Sequence, residues 1–224
     1  MRRILILLLS FTGLVSCLKS PQPPIIIAIN PWPGYEFLYL AEHQGYFKQL
    51  DLNVRLVQVS TLSDAQRAYI NNQVDGFTST LIEAVQTESM FGKPLNAIIV
   101  ADYSNGGDVI ITHKSVTEFQ QLIGKKIGAE VGSLGIYVLN QALEKYNFTL
   151  DDVTIINTEQ VQGQYALLNG DIDAFISYAP YSIETLKNQH YHSVFSSKEI
   201  PNQILDVISL STEVIENNPQ LVER

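Results

Sequence analysis

From Ile25 onward, short apolar runs alternate with stretches of helical spacing, the pattern of an α/β chain. Ile25 to Ile29 is a continuous run dominated by β-branched residues, as expected of a strand buried on both faces. Pro31-Trp32-Pro33-Gly34 breaks it, and Phe37, Leu38 and Ala41 then fall on one side of a predicted helix over 35–44, with Gly45 as its C-cap. Residues 53–59 predict the next strand, and Ser63-Asp64-Ala65-Gln66 fits a capping box opening a helix through Ile70. A short strand is expected over 76–79, a second capping box at Thr80-Leu81-Ile82-Glu83, and a strong strand over 95–100. After Asp102-Tyr103-Ser104-Asn105-Gly106-Gly107-Asp108 the same grammar resumes, with a strand over 109–112 and a capping box at Ser115-Val116-Thr117-Glu118.

The chain also repeats itself. Ala68-Tyr69-Ile70-Asn71-Asn72-Gln73-Val74-Asp75-Gly76-Phe77 aligns with Ala166-Leu167-Leu168-Asn169-Gly170-Asp171-Ile172-Asp173-Ala174-Phe175, and Gln66 with Gln164 at the same offset. Two unrelated helix-to-strand turns could produce one such match; an internal duplication is the better reading. Asp75 and Asp173 occupy the same point of the repeated turn, so turn chemistry explains both better than a catalytic carboxylate pair does. Two similar lobes joined near Gly106-Gly107 imply a cleft between them, and such clefts are favoured ligand sites.

The first residues have another purpose. Arg2 and Arg3 precede an apolar run over 4–9 that is too short to span a bilayer, the form of an export signal. Leu14-Val15-Ser16-Cys17 resembles a bacterial lipobox, in which the Cys is lipidated and becomes the first mature residue. Cys17 is the only cysteine in the chain, so no disulfide can form within one copy. An ordinary cleaved signal is the alternative. Loss of residues 1–16 would remove two positive charges and no acid, taking the formal charge from −9 to −11. Residues 17–24, rich in proline, read as a tether. With 46% hydrophobic and 17% charged residues the chain is no disordered segment. Its acidic balance and scattered basic residues disfavour nucleic-acid binding.

Catalytic constellations are missing. The histidines are 43, 113, 190 and 192, none in a metal-binding spacing, and His190-Tyr191-His192 reads as a solvated loop. No nucleophile elbow occurs, and Gly124-Lys125-Lys126-Ile127-Gly128 lacks the length and hydroxyl residue of a phosphate loop, so it reads as a helix end turning into a strand. The chain is therefore expected to catalyse nothing, and to carry no metal and no cofactor.

In order along the chain, Trp32-Pro33-Gly34-Tyr35, Ala41-Glu42-His43-Gln44-Gly45-Tyr46-Phe47, Asp102 through Asp108, Gly124 through Gly128 and Tyr178-Ala179-Pro180 give the sequence a resemblance. It resembles the solute-binding proteins of ABC importers that take nitrate, aliphatic sulfonates, taurine and thiamine-pyrimidine precursors. The resemblance covers about residues 25–224 and implies a two-lobed Venus-flytrap of the type II periplasmic class. Family members continue past the point reached by Asn218 to Arg224, which implies a first lobe incomplete at its C-terminus. A related group of pyrimidine synthases carries a Cys-rich iron motif, and no cysteine follows position 17 here.

On that fold the expected domains are a signal over 1–16, a tether over 17–24, lobe 1 over 25–105 and 206–224, and lobe 2 over 106–205. The residues expected to bind ligand are Trp32, Gly34, Tyr35, Ser79, Thr80, Ser104, Asn105, Gly106, Ser133 and Tyr178. The loops carrying them hold no Lys or Arg, so an anionic group would rest on helix N-termini capped by Thr80 and Ser133. Trp32, Tyr35 and Tyr178 would wall in a heterocycle or an ammonium group. The implied protein is lipid-anchored on the outer face of the cytoplasmic membrane or in the periplasm. There it would capture a sulfonate, a taurine-like or a pyrimidine-like nutrient for a permease in the inner membrane. The alternative is a sensor that signals ligand occupancy to a membrane partner.

Overall fold

The computed structural model describes residues 23–224. The expected export signal, Cys17 and most of the tether lie outside them. Two five-stranded sheets form the frame. The first contains β1 (Ile25–Ile29), β2 (Val54–Gln58), β3 (Gly76–Thr80), β4 (Leu95–Tyr103) and β10 (Leu205–Ser211), in the order β2-β1-β3-β10-β4. The second contains β5 (Val109–His113), β6 (Lys126–Ala129), β7 (Thr154–Asn157), β8 (Ala174–Ser177) and β9 (Tyr191–Ser196), in the order β7-β6-β8-β5-β9. The two orders are the same pattern. Three parallel strands are followed by one antiparallel strand, and β10 in the first sheet corresponds to β5 in the second. The elements around each sheet are called lobe 1 and lobe 2 below.

The repeated turn has the same job in both lobes. Asp75 Oδ2 accepts from Ile26 N at 2.8 Å, and Asp173 Oδ2 accepts from Lys126 N at 2.9 Å. The backbone N–H of each Asp donates to the carbonyl of the same partner residue, at 2.8 Å in both cases. Each carboxylate thus ties the start of one parallel strand to the start of its neighbour, as turn chemistry predicts. Phe77 and Phe175, equivalent in the repeat, are both fully buried in their lobes' cores.

The helices relevant to the cleft are α1 (Glu36–His43), α2 (Tyr46–Gln49), α3 (Leu62–Ile70), α4 (Leu81–Phe91), α5 (Leu134–Lys145), α6 (Gln160–Asn169) and α7 (Tyr181–Leu186). Two local expectations need correction. The N-cap of α3 is Thr61, whose side chain accepts from Asp64 N at 3.1 Å; it precedes Ser63 by two residues and has the extended backbone a cap requires. Ser115 caps nothing, because its hydroxyl pairs with His113 Nδ1 at 2.9 Å and the helical turn begins after Glu118. The predicted loop at His190 and His192 is also revised. His192 is on β9, with Nε2 at 2.7 Å from the Val116 carbonyl.

The chain crosses between the sheets twice, over 104–108 and over 197–204. The crossings are bonded to each other. Ser104 Oγ lies 2.8 Å from Ser197 Oγ, Gly106 N donates to that same Ser197 oxygen at 2.6 Å, and Ser104 N donates to Ile204 O at 2.9 Å. The two segments that pass between the sheets are thus bonded to each other.

Candidate functional site

A small cavity lies between the lobes at the C-terminal ends of the parallel strands, where α/β sheets place their ligands. Lobe 1 contributes Asn30, Trp32, Tyr35, Leu62, Thr80 and Asp206; Asp108 comes from the crossing, and Leu134 and Tyr178 from lobe 2. About 10 Å³ of it is open to water, room for roughly one molecule. Of the expected ligand residues, Trp32, Tyr35, Thr80 and Tyr178 meet here. Gly34 is beside them: a Cβ on it would fall 1.5 Å from Asp102 Oδ2, so only glycine lets that carboxylate reach its partner. Ser79 is fully buried behind Thr80, with its hydroxyl on the Thr80 carbonyl. Ser104, Asn105 and Gly106 lie on the crossing instead, with Asn105 exposed and the aliphatic stem of Lys198 against Gly106.

The aromatic residues differ in what they do. Trp32 is half-buried, donates from Nε1 to Asp102 Oδ2 at 3.1 Å, and meets Tyr178 edge-on with ring centres 6.3 Å apart. It packs against core clusters of both lobes, and a Cβ on Gly107 would lie 2.3 Å from its ring. The indole is thus held under the first crossing. Tyr35 is fully buried among Ile29, Leu38 and Ile208, and only its hydroxyl serves the site, donating to Asp206 Oδ1 at 2.7 Å. Tyr178 closes the far side, its hydroxyl accepting from Leu62 N at 3.4 Å.

The expected helix N-termini are present, but one is occupied from within. Thr80 is the N-cap of α4 and shares a capping box with Glu83, as the sequence indicates. Ser133 occupies the N-cap position of α5 but makes no cap bond to its own helix. Its hydroxyl donates to Glu83 Oε1 at 2.7 Å, and Leu134 N donates to that same oxygen at 2.7 Å. Glu83 reads in the sequence only as the last residue of a capping box, and nothing local shows that it reaches across the cleft.

Carboxyl groups dominate the remaining surface. Asp206 is pushed up to about 9, Asp108 to about 7 and Glu130, close by, to about 7, in each case chiefly by burial. The hydrogen bond from Tyr35 works against the shift of Asp206, and that from Ser104 against the shift of Asp108. No Lys or Arg lines the cavity. Two lining atoms, Asn30 Nδ2 and Asp206 Oδ2, are buried without a partner, one a donor and the other a carboxyl oxygen. An acid inside the apolar strand 205–211 was the sequence signal for Asp206, and Asn30 had none. Among the described residues no group of three or more His, Cys, Asp or Glu is arranged to hold a metal ion. With Cys17 the only thiol of the chain, the residues present do not fit a cysteine-ligated iron site.

The family model described as NMT1/THI5 like matches residues 32–224. A curated relative named 4-amino-5-hydroxymethyl-2-methylpyrimidine phosphate synthase, from Aspergillus parasiticus, is 32% identical over 146 residues, covering 64% of this chain and 42% of that protein. A synthase of the same name from Saccharomyces cerevisiae is 27% identical over 66% of this chain and 43% of its own length. The chain therefore spans less than half the length of these relatives. Among solved structures, the periplasmic aliphatic sulphonate binding protein of Escherichia coli superimposes with a TM-score of 0.76 at 18% identity, covering 90% of this chain and 70% of that one. The periplasmic nitrate-binding protein of Synechocystis superimposes with a TM-score of 0.71 at 11% identity, covering 88% and 58%. The fold is that of ABC-importer binding proteins, as the resemblance implies.

Proposed function

The chain belongs to the NMT1/THI5-like family, and on that premise we propose that it is an extracytoplasmic substrate-binding protein delivering a small pyrimidine-like nutrient to an ABC importer. The observation that carries this reading is the interlobe cavity with Trp32 and Tyr178 as walls and two unpartnered polar atoms between them. A pyrimidine ring nitrogen is an acceptor, which suits Asn30 Nδ2 and the protonated carboxyl of Asp206, and an exocyclic amino group can donate to that same carboxyl. A sulfonate brings a full negative charge to a cavity whose described lining holds no Lys or Arg. The names of the curated relatives also point to a pyrimidine. Because the cavity holds about one water, the lobes must part for such a ligand to enter, with 25–105 and 206–224 moving against 106–205 about the bonded crossings.

Binding without turnover is part of the proposal, since among the described residues no nucleophile, base and oxyanion donor converge at the cavity. Trp32, the only tryptophan, reports on this site. Titration of a panel containing an aminopyrimidine, taurine and an alkanesulfonate should give a fluorescence change with the aminopyrimidine, and bound compound should be recovered unchanged. A response to none of the three, or chemical conversion of the bound compound, would sink the reading. Trp32→Ala should weaken binding by about 2 kcal/mol or more if the indole is a desolvated wall. Anchoring through Cys17 is proposed with it: mass spectrometry of membrane-extracted protein should find a lipidated N-terminal cysteine, and Cys17→Ser should release the protein folded.

A further inference from the structure

Glu83 is the carboxylate of the cleft that the two lobes share. It is fully buried and accepts four hydrogen bonds, two per oxygen, the pattern of an ionised group. Oε2 takes Thr80 N at 3.0 Å and Thr80 Oγ1, both from lobe 1. Oε1 takes Ser133 Oγ and Leu134 N, both from lobe 2 and both at the start of the twelve-residue helix α5.

A helix start presents unpaired N–H groups and the positive end of the helix dipole, and an oxyanion is the group that fits there. In this protein the oxyanion is a side chain of the opposite lobe. We infer that Glu83 is the charge filter of the cleft: its carboxylate takes the place of a ligand oxyanion at the start of α5, so that the site rejects sulfonates and carboxylates and selects a neutral or cationic ligand. The inference rests on the binding-protein reading and deepens it by fixing the charge class. An incoming anion would have to displace Glu83, which would then be buried without two of its donors beside Asp108 and Glu130. A neutral or cationic group needs to displace nothing. The two bonds from Ser133 and Leu134 tie the lobes together, so losing the carboxylate also shifts the molecule toward the open state.

The experiment titrates the full chain and its variants with methanesulfonate and with 4-aminopyrimidine, following Trp32 fluorescence. Wild type should not respond to millimolar methanesulfonate. Glu83→Ala, which frees the start of α5 and removes the charge, should gain about tenfold or more in methanesulfonate affinity, the size of one charge-assisted hydrogen bond. Ser133→Ala removes a lobe-to-lobe bond but keeps the carboxylate, and should still reject the anion. A merely structural role for Glu83 would make those two variants behave alike. Methanesulfonate binding by wild type, or no gain in Glu83→Ala, overturns the inference. Should Glu83→Ala fail to fold, Glu83→Gln decides: the near-isosteric neutral side chain should gain several-fold for the anion, and an unchanged preference overturns the filter. Failure of 4-aminopyrimidine to bind wild type, with the anion gain intact, counts against the pyrimidine reading alone.

Discussion

Asp206 faces Thr80 across one strand pair and Asp102 across the other, so two carboxyl groups stand directly opposite each other between β10 and β4. Like charges in that position repel, and burial adds the cost of desolvation. Both penalties fall when Asp206 keeps its proton, which is why its pKa is pushed up to about 9; Tyr35, Asp102 and Asp108 are the titratable groups facing it. The consequence for stability has a definite sign. Between the unfolded value of about 4 and the folded value of about 9, the folded chain binds a proton that the unfolded chain has lost, so stability falls as pH rises through that window. Asp206→Asn stays neutral in both states and can still accept from the Tyr35 hydroxyl. Its thermal midpoint should match wild type near pH 4 and exceed it increasingly toward pH 9. A difference that is constant with pH would mean that Asp206 is ionised in the fold.

At the scale of elements, packing distances decide which substitutions matter. Gly163 lies in the interior of α6, where alanine would ordinarily stabilise a helix by about 1 kcal/mol. A Cβ there, however, would fall 1.9 Å from Phe175 Cε1 and 2.1 Å from Cζ, on a ring fully buried in the lobe 2 core. Overpacking of this kind costs about 1–3 kcal/mol and outweighs the propensity gain. Gly163→Ala should therefore lower the thermal midpoint, and a rise would show that the ring has room to turn. Most elements before residue 113 were legible in the sequence, because alternation, turn residues and β-branched runs are local signals, whereas strands such as β9 and β10 carry polar residues that hide the pattern. The repeat was legible too, and with it the twin roles of Asp75 and Asp173. The site was legible in part. Trp32, Tyr35, Thr80 and Tyr178 stand at strand ends, where topology points. Asn30, Asp108 and Asp206 take their meaning from strands distant in sequence, and Glu83 reads locally as a cap while half of its bonds come from fifty residues away.

At the scale of the whole molecule, the contacts between the lobes set how readily the cleft opens. Leu62 begins α3, between β2 and β3 of the first sheet, yet its side chain is buried in the cluster of lobe 2 that contains Leu134, Ile176 and Tyr178. The Tyr181 hydroxyl adds a hydrogen bond to Ser60 O at 2.7 Å. Parting of the lobes would expose Leu62 while leaving the remaining members of that core in place, since they come from residues 110–204. Burial of a leucine is worth about 2 kcal/mol, so Leu62→Ala should favour the open form by roughly 30-fold relative to wild type. A ligand that needs the closed form then binds more weakly in proportion to the closed fraction lost. Small-angle scattering of the ligand-free protein should show a larger radius of gyration for Leu62→Ala, with a thermal midpoint close to that of wild type. An unchanged radius combined with a midpoint several degrees lower would place Leu62 in the folding core of lobe 2, and closure would then rest on Glu83 and the tyrosine contacts alone.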